Sequence, residues 1–387
     1  MFVNKILETN KKLVETSFEL HQAGKIIPDS YVVDLDTLIE NAKVILSAAK
    51  EQQVDMYFMM KQLGRNPLIS KKLIDLGYKG AVVVDYKEAQ IMMRHNIPIC
   101  NVGHLVQAPK SMIQNLVDYG CEYFTVCSLE KIELINECAK KSNKIQKLLI
   151  KFIGKNSVIY SGQEAGFEIE EIEKMIEFIK KLHNVTISGV TAFPCFLYDE
   201  HLEKIHATSN LDVLLQAKRI LREKGMIIEN LNAPSATSVA TINYMGKYGI
   251  NSAEPGHGLT GTTPLHAKKC CEEIPCVTYV SEISHNFRKK SYCYGGGYYR
   301  RSHMENALVG KTIENSEKVK VKAPSIDSID YYFEIDKEMP VHDTVVMAFR
   351  FQIFVTRSDV VLVEGIQRGN PTIVGVYSSL GEKKFYG

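Results

Sequence analysis

From Asp55 to Gly256 the chain repeats one pattern: a short apolar, β-prone run followed by an amphipathic stretch with helical spacing. The apolar runs cover residues 56–60, 81–84, 99–102, 123–126, 148–152, 187–193, 227–232 and 250–254. Each helical crossover returns the chain to the same end of a parallel sheet, and eight strands is the count at which such a sheet closes on itself. The spacers agree. Pro67 suits the first turn of NPLISKKLIDLGY, and Ile169, Ile172, Met175, Ile176, Phe178 and Ile179 form one wide apolar stripe after Glu168. The pattern predicts an α/β fold, a (β/α)8 TIM barrel.

On either side the pattern changes. YVVDLD at residues 31–36 reads as a strand before the helix TLIENAKVILSAAKEQ, and after Gly258 the sequence alternates in β fashion, as in PCVTYVSEIS, KVKVKAP and TVVMAFRFQIFVT. The expected organisation is an N-terminal helix and a strand joining the β domain (1–36), a barrel (37–258) and a C-terminal mainly β domain (259–387).

Composition excludes several classes. With 47 Lys plus Arg against 45 Asp plus Glu, the net charge of +2 leaves no field to hold a polyanion, so nucleic acid and anionic membranes are poor partners. No apolar run approaches the roughly 18 residues that span a bilayer, and the charged amphipathic opening segment has no signal-peptide core, so a cytoplasmic protein is expected. The nine cysteines include no CxxC pair, which suits reduced, mostly buried thiols.

In a βα barrel the chemistry sits at the carboxyl ends of the strands. Immediately after the apolar runs stand Lys61, Asp85, His104, Pro194 with Cys195, Ser235 and Glu254. A lysine at the inner end of a buried strand is desolvated, which favours the neutral amine and hence Schiff-base chemistry. The same lysine snorkelling to the barrel rim is the plain alternative. Ser235 in NAPSATS, with Thr237 beside it, precedes a helix as a phosphate site would, or serves as an ordinary N-cap. Glu254 in AEPGHGLTG would keep a pyridine nitrogen protonated if it faced one, or it is a solvated turn residue.

Taken together, DLDTLIENAK, the strand-end Lys61, APSAT and EPGHGLTG resemble the alanine racemase family, the fold-type III pyridoxal 5'-phosphate enzymes. The resemblance implies that Lys61 carries the cofactor, that Ser235 binds its phosphate with Gly256 as a backbone donor, and that Glu254 stands against the pyridine nitrogen, where racemases place an arginine. Glu254-Pro255-Gly256 also resembles the Glu-Pro-Gly-Arg signature of the eukaryotic-type ornithine and diaminopimelate decarboxylases, with His257 in place of their arginine. The racemase histidine behind the ring falls near Phe193. His104, and Arg65 with Asn66, are further candidates to reach the cofactor.

The resemblance also implies a homodimer with the active site at the subunit interface, the β domain of one copy supplying the second acid/base group. Cys293 and Tyr294 in CYGGGYYRR, with Tyr292 just before it, are the candidates, although the three glycines equally suit a plain β-turn. Arg350 and Arg357, read as lying on an apolar strand pair, would clamp a substrate carboxylate or form interface salt bridges. No metal is expected, since residues 341–358 offer only His342 and Asp343. The expected function is an amino-acid racemase using two-base proton exchange at Cα. A decarboxylase or β-eliminating lyase and a non-catalytic pyridoxal phosphate-binding protein are the alternatives.

Overall fold

The computed structural model describes residues 2–385, which divide into two compact units. One comprises Ile45–Met60 and Pro67–Gly256; the other comprises the chain up to Val44, Lys61–Asn66 and the chain from His257 onward.

The first unit is the barrel. Its parallel strands are Asp55–Met56, Ala81–Val82, Ile99–Val102, Tyr123–Val126, Gln146–Ile153, Val185–Thr191, Asn230–Asn232 and Ser252–Ala253. The ring closes where Phe58 bridges Ala81: the Phe58 N–H donates to Gly80 O at 3.0 Å and the Val82 N–H to Phe58 O at 2.8 Å. Several ladders are shorter than the apolar runs that announced them, yet the chain stays bonded beyond them, Met59 N–H reaching Pro255 O at 3.0 Å. The helix Ile172–Ile179 buries Ile172, Met175, Ile176 and Ile179. Burying one such aliphatic side chain is worth roughly 1.5–3 kcal/mol. The alternation therefore specified the fold class, a TIM barrel with a C-terminal mainly β domain.

The second unit is built on a ten-stranded sheet. Six of its strands, Val277–Phe287, Lys290–Tyr294, Tyr332–Ile335, Glu317–Lys322, Asn306–Gly310 and Thr344–Met347, pair in a closed cycle. The strand Ser30–Asp34 lies antiparallel to Val277–Phe287 and parallel to Asp359–Glu364, so it is central to this sheet although it is remote in sequence. The opening segment is two helices, Phe2–Thr9 and Lys11–Gln22, rather than one. Asn10 interrupts them and caps the second, its side chain accepting from the Leu13 N–H at 3.3 Å. Val3, Ile6, Leu13, Val14 and Phe18 pack with Val32, Val280, Val346 and Val361.

Besides the divided opening helix, two sequence expectations differ from the structure. Residues 37–44 and Lys61–Asn66, read as barrel, group with the β unit. Gly64 explains the latter: at φ +63 it sits where a Cβ would lie 3.2 Å from Ile353 Cγ2, Val360 Cγ2 and Ser379 O. The next residue, Arg65, holds its guanidinium 5.4 Å from the Phe354 ring centre. Second, TVVMAFRFQIFVT is not a strand throughout. The strand ends at Met347, the Arg350 N–H bonds Ser302 O at 2.9 Å, and Ile353–Val355 forms a 3-10 turn. No helix among the described residues is long and apolar enough to cross a membrane.

Candidate active site

At the carboxyl ends of the barrel strands, Glu254 is only 4% exposed, and its Oε2 accepts from Asn232 Nδ2 at 2.9 Å. Asn232 is itself oriented, because Thr191 Oγ1 donates to its Oδ1 at 2.9 Å. The neighbouring Cys195 thiol is pushed well up, first by burial and then by the Glu254 charge. His104 is buried with its ring edge-on to Phe193, 5.3 Å between centres, and Tyr160 flanks the same phenyl at 5.7 Å. Gly256 is buried and closes this unit.

In NAPSATS, Ser235 and Ala236 take φ values of +117 and +50, a conformation non-glycine residues rarely adopt and one that clusters at ligand sites. Ser235 Oγ donates its hydrogen to Phe196 O at 2.7 Å, so the expected phosphate-binding hydroxyl is already spent on the backbone. Thr237, 3% exposed, is the hydroxyl here with no hydrogen-bond partner among the described residues. Ser238 rather than Ser235 is the N-cap residue of the following helix, Val239–Met245. Asp85, also at a strand end, is a helix cap, its Oδ1 accepting from the Glu88 N–H at 2.7 Å.

In the β unit, Lys61 opens the 3-10 turn Lys61–Leu63 and is half-buried; Asn66 and Arg65 are buried. Arg350 Nε donates to His257 Nε2 at 3.2 Å, and His257 Nδ1 meets Thr262 Oγ1 at 3.0 Å. Burial first, then the charges of Arg350, Lys61 and Arg301, hold the imidazole well below its ordinary pKa. It is therefore neutral, with its proton on Nδ1 facing Thr262 and its lone pair on the side of Arg350. Arg357 lies elsewhere, its Nη1 on Asp330 Oδ1 at 2.9 Å.

Cys293 and Tyr294 share the strand Lys290–Tyr294 but face opposite ways. Cys293 is wholly buried and its thiol is pushed up to about 12 by burial, which makes it a poor proton carrier. Tyr294 is 37% exposed, and Tyr292 stacks on His285 at 5.0 Å. The glycine run approaches its own unit: a Cβ on Gly296, at φ +129, would fall 2.0 Å from Asp29 Oδ2, and Tyr31 OH donates to Gly297 O at 2.6 Å.

Residues 33–264 match the alanine racemase N-terminal domain model, and residues 278–373 match the YhfX-like C-terminal domain. The chain belongs to the alanine racemase-like, fold-type III family, whose members depend on pyridoxal phosphate. This alanine racemase-like chain is 44% identical to the uncharacterized protein YhfX of Escherichia coli K12 over 98% of its own length and 99% of the relative's. It is similar in structure to D-threo-3-hydroxyaspartate dehydratase from Delftia sp. HT23, with a TM-score of 0.69 at 12% identity, covering 90% of this chain and 97% of that one. Alanine racemase from Clostridium difficile 630 gives 0.62 at 18%, covering 92% and 99%, and D-threonine aldolase from Filomicrobium marinum gives 0.66 at 13%, covering 91% and 94%. At these identities the likeness to solved structures establishes the fold alone.

The residues present fit the cofactor. The unpartnered Thr237 hydroxyl sits beside two left-handed residues in the expected phosphate segment, and a buried carboxylate stands at the end of the last barrel strand. Three residues of this alanine racemase-like chain escaped the sequence reading. Glu88, fully buried, accepts the N–H groups of Met60 and Val84, each at 3.3 Å, and so pins the barrel backbone immediately before Lys61. Asn232 orients Glu254. Lys151 is 6% exposed, and burial depresses its pKa. A charge inside the apolar run LLIKF was the available signal for it.

Proposed function

We propose that the protein is a pyridoxal phosphate-dependent amino-acid racemase, working as a homodimer in the cytoplasm on a small-molecule amino-acid substrate. The observation that carries the cofactor assignment is Glu254, a carboxylate 4% exposed and held by an oriented amide at the end of the last barrel strand. Thr237 and the Gly256 backbone would hold the phosphate, His104 would pack against the ring, and Lys61 would carry the aldehyde carbon. When bound, the cofactor acidifies the Cα proton of an attached amino acid.

This chain's own groups do the rest. Glu254 keeps a positive charge favourable at the ring nitrogen. Lys61 takes or returns the Cα proton at its amine nitrogen on one face. Tyr294 of a second copy serves the other face, a role that falls to it rather than to Cys293 because Cys293 has no access to solvent. Arg350, anchored at Nε by a neutral His257, offers a guanidinium in fixed orientation to the substrate carboxylate. Arg357 is tied to Asp330 and serves the fold.

A second reading, decarboxylation or β-elimination, is favoured by Glu254, because a protonated ring nitrogen strengthens the electron sink beyond what proton exchange needs. The test is chiral chromatography after incubating the loaded protein with a panel of L-amino acids. D-enantiomer lost in Lys61→Ala and reduced in Tyr294→Phe supports racemisation; a 2-oxo acid or carbon dioxide supports the second reading; no product from any amino acid contradicts both.

A further inference from the structure

The barrel interior holds a line of side-chain hydrogen bonds that Glu254 alone does not require. Asn230 Nδ2 donates to Tyr57 OH at 3.0 Å, Ser252 Oγ donates to Asn230 Oδ1 at 2.5 Å, and Asn232 Nδ2 donates to Ser252 Oγ at 3.3 Å and to Glu254 Oε2 at 2.9 Å. From the other side, Thr191 Oγ1 donates to Asn232 Oδ1 at 2.9 Å. Asn230, Asn232, Ser252, Thr191, Tyr57 and Glu254 are all buried, none more than 4% exposed. Register explains the meeting: Thr191 and Asn232 are direct partners on adjacent parallel strands, as are Asn232 and Ser252, so the three point into one layer of the barrel.

The direction of these bonds removes an ambiguity. An amide can present either its oxygen or its nitrogen to a neighbour. With its oxygen taken by the Thr191 hydroxyl, Asn232 can show Glu254 only N–H, and an N–H donated to a carboxylate favours the charged form and fixes the acceptor oxygen. A water-exposed carboxylate needs no such device. A carboxylate that must stay ionised in a buried layer does, since an uncompensated buried charge is costly.

We infer that Asn232, locked by Thr191, is a positioning residue that holds the Glu254 carboxylate in one orientation and in its charged form toward the nitrogen heterocycle bound at the barrel mouth. The inference rests on the cofactor reading above and deepens it: the electron-withdrawing strength of the site is set one residue behind Glu254.

The test loads apoprotein with pyridoxal phosphate and follows binding by fluorescence and the visible band of the bound cofactor by absorbance. Wild type is compared with Asn232→Asp, Thr191→Val, Glu254→Gln and the Asn232→Asp/Glu254→Gln pair, with circular dichroism recorded for each. Asn232→Asp sets a second carboxylate against Glu254, and is expected to weaken cofactor binding by about tenfold or more, the loss typical of one charge-assisted hydrogen bond. It should move the band in the same direction as Glu254→Gln. Thr191→Val, which only unlocks the amide and leaves a near-isosteric side chain, should do both to a smaller degree. The double variant should be no worse than Glu254→Gln alone, because the two residues act as one unit. If Glu254→Gln moves the band while Asn232→Asp and Thr191→Val leave band and affinity at wild-type values, the positioning role is overturned and the cofactor reading survives. If the cofactor binds but Glu254→Gln leaves the band unchanged, or if wild type takes up no pyridoxal phosphate, the inference falls together with the reading beneath it.

Discussion

Each unit withdraws a carboxylate from water, and the two are treated differently. In the barrel, Glu254 stands at a strand end and receives an oriented amide N–H from Asn232. In the β unit, Asp29 receives the hydroxyls of Tyr279 and Ser358 on a single oxygen and is covered by Gly296, and burial pushes its pKa up to about 6. Asp29 is thus a half-buried polar joint within the fold. Glu254 stands at a strand end of the barrel, where Thr191 fixes the Asn232 amide and Asn232 donates to the carboxylate. Burial alone therefore does not set Glu254 apart from Asp29; the oriented amide behind it and its place at a strand end do.

The Asp29 joint should break most readily by shape. Gly296→Ala puts a Cβ 2.0 Å from Asp29 Oδ2 at φ +129. A loss of about 3 kcal/mol or more is expected in chemical denaturation, as for a strained backbone combined with a core clash. Next comes Glu88→Ala, which strips the acceptor from the Met60 and Val84 N–H groups. About 2–3 kcal/mol should go, with weaker cofactor uptake because the backbone before Lys61 is loosened.

The Asp29 joint also titrates. Its folded pKa of about 6 lies above the ordinary 3.8, so between those values the folded protein binds more protons than the unfolded chain. Stability from this residue therefore falls as pH rises through that window, by roughly 2–3 kcal/mol in all. Asp29→Asn should remove this slope, so melting curves of the two proteins should converge on acidification and separate toward neutral pH, with the variant the more stable. Parallel curves would show that Asp29 is not the group concerned. The smallest effect is expected for Arg357→Gln. The Arg357 side chain is 52% exposed, and losing its bond to Asp330 should cost under about 1 kcal/mol and shrink further in salt.

Local pattern made most of the barrel legible, because period and run length are local properties: each of the eight runs contains or overlaps a strand. Pairings set by distant register were not. Nothing in the spacing of Thr191 and Asn232 announces that they meet, and only the parallel ladder brings them level. Lys61 was visible at a strand end, whereas the grouping of Lys61–Asn66 with the β unit depends on Gly64 meeting Ile353 and Val360 nearly three hundred residues later. Ser235 drew the eye as a hydroxyl in a small-residue turn. Which hydroxyl there has hydrogen-bonding capacity to spare depends on Phe196 O, which takes the Ser235 hydrogen and leaves Thr237 as the donor. Arg350 and Arg357 looked alike on an apolar run and part company once the chain turns at Ile353–Val355.

Lys61 is assigned to carry the cofactor, and Lys151, a lysine buried in the barrel with a depressed pKa, is the natural competitor. Borohydride reduction of the cofactor-loaded protein, followed by peptide mass spectrometry, would locate the covalent link directly. The added pyridoxyl mass is expected on the peptide containing Lys61 and on no other. The same mass on the Lys151 peptide, or on none, would contradict it.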